Sequence, residues 1–587
     1  MSAEKLITDH IDIWTSAVQA KSSSGRGSSK KRELYGIKKL RELILELAVR
    51  GKLVPQDPND EPASLLLERI ASEKTELVKQ KQLKKLKPLP AITDEEKPFA
   101  LPLGWEWVQV GNVCTFVNGF AFKSSSFQEI GVGVVKIGDI SSSGQITNAS
   151  MSRVSPQVVA GLDPMLKVAT GDLVIAMSGA TTGKLGFNVD DETYYLNQRV
   201  GKFWSHGVRL EFMYLPLTTK VAENLSKSMG SAIPNISTGQ INEIVFALPP
   251  LAEQHRIVAK VDELMALCDQ LEQQTEASLD AHQVLVETLL TTLTNSQDAT
   301  ELMANWARIS EHFDTLFTTE QSIDQLKQTI LQLAVMGKLV PQDPNDEPAA
   351  KLLERIAEEK VQLVKEKKIK KQKALPPIAE DEKPFELPNG WVWARIFDAS
   401  LFSEYGSSEK TVTELPDGVP VLKMGDIQAG KVILGEHQVV SAQIEDLPNL
   451  YLKFGDVLYN RTNSAELVGK TGMFKGEDDV YTFASYLIRI RCSFNNVMPE
   501  YLSLSMNTPL FRKTQIEPHI KQQCGQANVN GTLMKHMLVS VPPVREQARL
   551  MAKTKELLSF CDQLKQRLRD SQQTQLQLTD AIVEQAL

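Results

Sequence analysis

Two stretches of this chain approach the glycine–lysine spacing of a phosphate-binding loop, and neither completes it. Ser464-Ala-Glu-Leu-Val-Gly-Lys-Thr471 has serine where the first glycine belongs, and the GMFKGEDD that follows is too poor a helix former to aim backbone N–H groups at a phosphate. Gly179-Ala-Thr-Thr-Gly-Lys-Leu-Gly186 has the wrong spacing and no Ser or Thr after its lysine. A DNA methyltransferase needs a glycine-rich cofactor loop and an Asn/Asp-Pro-Pro-Tyr/Phe tetrapeptide, and no such tetrapeptide occurs. The eight histidines include no HExxH and no ligand spacing; His255 and His282 fall in helical stretches and read as surface or seam residues. The paired acids Asp190/Asp191 and Asp478/Asp479 sit in turn-like sequence. The five cysteines (Cys114, Cys268, Cys492, Cys524, Cys561) form no CxxC pair, so neither a zinc site nor a disulfide framework is indicated. No catalytic residue, no metal site and no cofactor site is therefore expected in the chain.

The elements that would position any chemistry are organised by repetition. GKLVPQDPNDEP occurs at Gly51 and again at Gly337, and 21 of the 24 residues from Ala48 to Ala71 are identical in the second copy. The likeness extends from LRELILELAV at Leu40 to EKPFALPLGWEW at Glu96, matched by LKQTILQLAV at Leu326 and EKPFELPNGWVW at Glu382. A second repeat pairs ALPPLAEQHRIVAKVDELMALCDQL at Ala247 with SVPPVREQARLMAKTKELLSFCDQL at Ser540. Between the repeats lie two stretches of about 150 residues that scarcely resemble each other, each the size of one domain. The last repeated segment is split between the C-terminus and the N-terminus, a circularly permuted tandem repeat with an approximate two-fold axis if the termini meet.

The repeated segments read as helices. Ile257, Val261, Leu264, Cys268 and Leu271 alternate in steps of four and three, a coiled-coil seam. Leu550, Leu557, Cys561, Leu564, Leu568, Leu578 and Ile582 continue it in the second copy. Further helices are expected over Leu40–Val49, from Ala63, and in their copies, with GKLVPQDPNDEP as the turn between them. The unlike stretches are mixed, with short strands such as VGVVKIGDI at Val132 and VPVLKMGDI at Val419. The expected class is α+β: two mixed α/β domains at 105–250 and 391–543, alternating with long antiparallel helical regions at 1–104, 251–390 and 544–587. A net charge of −8, no apolar run long enough to span a bilayer, and a charged start leave a cytoplasmic protein as the simplest expectation.

This plan resembles the specificity subunit of type I restriction–modification enzymes. The resemblance is carried by LPPLAEQHRIV at Leu248 and VPPVREQARLM at Val541, LPxGWxW at Leu101 and Leu387, KIGDI and KMGDI, and covers essentially the whole chain. The opening MSAEKLITDHIDIW, with ELAVRGKLVPQDPNDEPAS, resembles the IB subgroup. It implies a non-catalytic bacterial subunit whose two unlike domains each read one half of an asymmetric bipartite DNA target. The helical regions would set the spacer, holding the readers about one helical turn (roughly 34 Å) apart, and dock two methyltransferase (M) subunits, with restriction (R) subunits joining for cleavage. Adenine-N6 methylation and DNA cleavage would then belong to the partners, together with S-adenosylmethionine, ATP and Mg²⁺. Two other readings are a fused methyltransferase–recogniser, which the missing tetrapeptide opposes, and a coiled-coil scaffold, which leaves the divergence of the two domains unexplained.

Base readout needs Arg, Lys, Asn, Gln, Ser or Thr on groove-facing loops. The candidates that follow strands are Lys123, Lys136, Ser178, Lys184, Asn197, Gln198 and Arg199 in the first domain. In the second they are Lys423, Arg461, Thr462, Asn463, Lys470, Lys521, Gln522 and Gln523. Gly138–Asp139 and Gly425–Asp426 recur in both domains and read as fold-determining turns. Neither domain is basic: Lys and Arg against Asp and Glu number 10 to 11 over 105–250 and 14 to 16 over 391–543. Phosphate contact therefore requires the positive residues to cluster on one side, or partners to supply part of the grip. The lysine-rich helix tails (Lys74, Lys79, Lys81, Lys84, Lys85, Lys87; Lys360, Lys365, Lys367, Lys368, Lys370, Lys371, Lys373) are further candidates for phosphates or partner carboxylates.

Overall fold

A computed structural model describes residues 3–20, 32–83, 88–179, 181–227, 235–523 and 526–587. The frame consists of six principal helices: α1 (Tyr35–Val49), α2 (Ala63–Lys79), α3 (Leu251–Asn295), α4 (Glu320–Val335), α5 (Ala349–Lys365) and α6 (Val544–Ala586). The chain divides into two compact units, Met1–Ala277 with Gln572–Leu587, and Ser278–Ser571. Among the described residues no helix is long and apolar enough to cross a membrane.

The seam read from the sequence is buried in α3, where Ile257, Val261, Leu264, Cys268 and Leu271 are at most 7% exposed. In α6 it holds through Cys561, with Leu557, Leu564 and Leu568 partly buried, and then departs from the expected register. Leu578 is 45% exposed, and the fully buried position is its neighbour Thr579, one turn before Ile582. The steps from Leu568 through Gln575 and Thr579 to Ile582 keep the helical face, whereas Leu578 lies one residue off it.

The two units share one tie at equivalent places, Arg41–Asp269 and Lys327–Asp562, and differ in the other ion pairs that join α1 to α3 and α4 to α6. In the first, Arg41 on α1 pairs with Asp269 and Glu272 on α3, both at 2.7 Å. In the second, Lys327 on α4 pairs with Asp562 on α6, joined by Lys565–Asp324 at 2.7 Å and Arg569–Glu320 at 2.7 Å. Lys52 Nζ donates to the terminal Leu587 carbonyl, and Tyr35 Oη to Asp580 at 2.7 Å. Lys338, the equivalent of Lys52, caps the end of α3 by donating to the carbonyls of Thr294 and Ser296 at 2.8 Å. The Leu587 carbonyl thus takes the part in one unit that the Thr294 carbonyl takes in the other.

The duplicated loop forms a clamp. Gly51 and Gly337 adopt φ of 67° and 69°, the left-handed turn that ends α1 and α4. Gln56 Nε2 donates back to the Gly51 carbonyl at 2.6 Å and on to Glu253 at 3.2 Å; Gln342 does the same to Gly337 at 2.7 Å and Glu546 at 3.1 Å. Trp105 and Trp391, which open the two mixed domains, donate their indole N–H to the same carboxylates at 2.9 and 3.0 Å. Arg256–Asp60 at 2.5 Å and Arg549–Asp346 at 2.7 Å close each clamp. The loop therefore fixes the first turn of a long helix to the entrance of a domain, and burial raises both Glu253 and Glu546 above the usual carboxylate range.

In the first unit, β1 (Cys114–Asn118), β3 (Leu173–Ala176), β4 (Leu185–Phe187) and β6 (Val200–Ser205) form a sheet in the order β4–β3–β6–β1, and β2 (Val132–Val135) pairs in parallel with β5 (Tyr194–Leu196) in a second sheet. The two enclose a core of Val117, Val135, Val174, Ala176, Tyr194, Leu196 and Val200. The second unit repeats this with β7 (Phe402–Tyr405), β8 (Gly418–Leu422), β9 (Val457–Asn460), β11 (Thr471–Met473), β12 (Thr482–Phe483) and β13 (Leu487–Arg491). Its sheet order begins β7–β13–β9–β11, and β8 pairs in parallel with β12. An added ribbon joins β10 (Thr462–Asn463) to β15 (Gln526–Asn528) and β14 (Lys521–Gln523).

Candidate nucleic-acid interface

Strand direction places most of the base-reading candidates at one end of the sheets. β3 stops at Ala176 beside Val200, where antiparallel β6 starts; β4 starts at Leu185 opposite Ile175; and β1 stops at Asn118 opposite Gly201. Ser178, Lys184, Asn197, Gln198 and Arg199 are thereby gathered at that end. Lys136 joins them from the end of β2, because the Asn197 N–H donates to the Val135 carbonyl at 3.1 Å. Lys123 is exposed on the loop that leaves β1. In the second unit the same construction gathers Lys423 after β8, Arg461–Asn463 after β9 and Lys470 before β11. β14, which carries Lys521, Gln522 and Gln523, reaches this end by pairing through β15 with Thr462 and Asn463; the side chains of those three residues lie outside the described set.

The two ends share one backbone frame. Met177 N–H donates to the Arg199 carbonyl at 2.9 Å, as Arg461 does to Tyr486 at 3.1 Å. Phe120 donates to Leu196, and Ser407 to Phe483, both at 2.9 Å. Ile236 donates to Met177, and Val529 to Arg461, again both at 2.9 Å. Ala176 donates to Lys184, and Asn460 to Lys470, also at 2.9 Å. On this common frame the side chains differ: Arg199 is replaced by Tyr486, Gln198 by Ser485 and Phe120 by Ser407.

Not every candidate is equally available. Lys136 Nζ donates to Ser152 at 2.7 Å and lies 3.8 Å from the centre of the Phe127 ring; Lys423 Nζ donates to Thr411 at 2.9 Å and to Gln438. Arg461 donates to the Ser485 carbonyl at 2.7 Å and stacks on Tyr405, and Thr462 is buried. Lys123, Lys184, Gln198 and Arg199 are exposed, and their side chains make no hydrogen bond or ion pair among the described residues; the half-buried Lys470 makes none either. The recurring Gly-Asp turns serve the fold: Asp139 and Asp426 accept the N–H of Lys136 and Lys423 at 2.7 and 2.6 Å. Of the helix-tail lysines, Lys74 donates to the carbonyls of Gly111, Asn112 and Cys114, and Lys360 to that of Phe397, so these two tie α2 and α5 to the mixed domains. Lys84, Lys85 and Lys87, like Cys524, lie outside the described residues.

Several acids gather at the opposite end of each sheet. Asp172, Asp190, Asp191 and Glu192 stand where β3 begins and between β4 and β5; Asp456 and Glu477–Asp479 stand where β9 begins and β11 has ended. Asp172 pairs there with Lys202 at 3.0 Å, and Asp456 with Arg491 at 2.6 Å. Cations stand among those acids as well, including Arg153, Lys453 and Arg489, while Asp426 and Glu466 lie at the end that holds the candidates. The loops that imitate phosphate cradles belong to the candidates' end. Gly469-Lys470 leads into strand β11, and Thr471 is buried with its hydroxyl donated to Ser503 at 3.1 Å.

The model of the "Type I restriction modification DNA specificity domain" family matches residues 102–281, which include the first of these sheet ends. The EcoEI specificity subunit of type I restriction enzymes from Escherichia coli is 44% identical over 609 aligned residues, covering 100% of both chains, and the EcoAI specificity subunit from the same species is 44% identical with the same coverage. The chain belongs to the type I restriction enzyme specificity subunits. A solved HsdS subunit from Thermoanaerobacter tengcongensis is 17% identical over 84% of this chain and 98% of its own, with a TM-score of 0.43. Sequence reasoning missed four members of this frame, Phe120, Ser407, Ser485 and Tyr486. Aligning the two mixed domains without gaps on GDLVIAMSG and GDVLYNRTN sets Phe483 opposite Arg199, because the second domain has three more residues in between, so the match to Tyr486 emerges only from the strand pairing.

Proposed function

We propose that each sheet end reads one half of an asymmetric, bipartite double-stranded DNA target. The observation that carries this is the shared backbone frame with unlike side chains: one architecture presents two different sets of donors, as two different half-sites require. The helical frame sets the spacer and docks two methyltransferase subunits. Its support is the duplication of the clamp and of the Arg41 and Lys327 ties, which gives two copies of one partner equivalent faces. Restriction subunits join for cleavage. The chain supplies recognition in the bacterial cytoplasm, while adenine-N6 methyl transfer and cleavage, with S-adenosylmethionine, ATP and Mg²⁺, take place on the partners. Mapping methylated adenines in a host genome with and without this chain tests the proposal. A bipartite motif that disappears on deletion supports it; DNA methylation by the purified chain alone overturns the assignment of chemistry to partners.

A further inference from the structure

The two sheet ends can be compared with each other position by position. Between β3 and β4 run eight residues, 177–184, and between β9 and β11 run ten, 461–470. Their sequences, MSGATTGK and RTNSAELVGK, differ almost throughout, yet both end on Gly-Lys. Gly183 and Gly469 adopt φ of 86° and 88°, and their N–H groups donate to Ala176 and Asn460 at 2.8 and 2.7 Å. The turn accounts for the glycine, since the left-handed region disfavours side chains. It does not account for the lysine, because neither Lys184 nor Lys470 makes a side-chain hydrogen bond or ion pair among the described residues. The residue on the opposite flank behaves in the contrary way. The carbonyls of Arg199 and Tyr486 accept from the equivalent N–H groups of Met177 and Arg461 and both side chains are exposed, but the chemistry changes from a cation to an aromatic hydroxyl.

A residue kept at both ends cannot distinguish two half-sites, and a residue that tells them apart must differ. From this, and resting on the reading of the sheet ends as DNA readers, we infer that Lys184 and Lys470 are sequence-independent phosphate contacts, and that the Arg199/Tyr486 position, with Gln198/Ser485 beside it, reads bases. Arg199 carries the planar donor fork that fits the two major-groove acceptors of guanine, so the first half-site includes a guanine read by Arg199. Tyr486 presents one hydroxyl and an apolar ring, and reads a different base in the second half-site.

The test is selection of bound sequences from a randomised duplex library by the full-length chain, repeated across a salt series. Wild type selects a bipartite motif. Lys184→Ala and Lys470→Ala leave that motif unchanged, weaken binding to all sequences alike, and reduce the slope of log affinity against log salt by about 0.9 each; Lys184→Arg restores both. Arg199→Ala flattens one base position in one half-site, with a loss of roughly 5- to 150-fold on the preferred base, and Tyr486→Ala changes the other half-site only. Helical content and melting stay close to wild type because these side chains make no hydrogen bond or ion pair among the described residues. If wild type selects no bipartite motif, the reading of the sheet ends fails and the inference with it. If wild type selects one, the inference fails alone when Lys184→Ala alters base preference or Arg199→Ala weakens every sequence equally.

Discussion

Trp105→Phe isolates the clamp that holds the first reader on its helix. The substitution keeps an aromatic ring but removes the N–H that donates to Glu253 Oε2 at 2.9 Å. Glu253 is 1% exposed, so water cannot replace that donor, and Gln56 at 3.2 Å on the other oxygen is left to support the carboxylate. A hydrogen bond to a charged group contributes about 1.5–3 kcal/mol. The smaller ring leaves a void beside Gly51, where a Cβ would already stand 2.9 Å from the indole, and that void adds about 1 kcal/mol. The expected local destabilisation is roughly 2.5–4 kcal/mol. Burial raises the Glu253 carboxyl above its ordinary value, so the folded state binds its proton more tightly than the unfolded state. The carboxyl's contribution is therefore fully present below the unfolded pKa and declines as pH rises through the folded one. Losing a donor raises the carboxyl further, so the variant's deficit is small in acid and grows toward neutral pH. Because two units melt in one chain, a single global transition does not report this. Amide hydrogen exchange over residues 51–62 and the first turns of α3 does. Faster exchange confined to those segments is expected, with Trp391→Phe acting only on 337–348 and the start of α6. Unchanged exchange in Trp105→Phe, or no coupling energy in a double-mutant cycle with Glu253→Gln, would refute the clamp.

Gly51→Ala is expected to destabilise the first unit in chemical denaturation, because φ is 67° and the new Cβ would meet Pro102 at 2.6 Å; Gly138→Ala, with open space around it, stays near neutral in that assay. Arg569 and Lys565 hold the Glu320 carboxyl down at about 2, below its ordinary 4.5. The α4–α6 contact is therefore supported above pH 4.5 and loses that support as pH falls toward 2, and Glu320→Gln reduces the pH dependence of protection in α4 over this window. Burial lowers the Lys360 ammonium to about 8 from 10.5, so its burden on folding is full below pH 8 and is relieved as pH rises to 10.5; an NMR titration of isotope-labelled lysines locates the midpoint.

The frame was legible because it is built twice. Heptad spacing reported the α3 seam residue by residue, and the repeat itself marked where helices begin and stop. Leu578 escaped because the seam's burial continues through polar Thr579, which an apolar pattern does not register. The clamp was legible only as turn chemistry: Gln56 and Asp60 meet Glu253 and Arg256 nearly 200 residues away, and local sequence carries no sign of such a meeting. At the sheet ends, strand punctuation by Gly, Ser, Thr and Asn set most candidates after strands, as the fold has them, but Thr462–Asn463 and Lys521–Gln523 lie on short strands of their own. It did not separate exposed Lys184 and Arg199 from Lys136 and Lys423, which are bound to neighbouring side chains, because a lysine's partner depends on tertiary packing. Tyr486 went unlisted because a search for polar donors passes over an aromatic ring.

The most direct test of the central claim exchanges residues 105–250 for the corresponding domain of a family member with a known target, leaves the frame intact, and maps adenine methylation in a host genome. One half of the bipartite motif should change to the donor's half-site, while the other half and the spacer stay as they were. A change in both halves, or an unchanged motif, would contradict the assignment of one half-site to each domain.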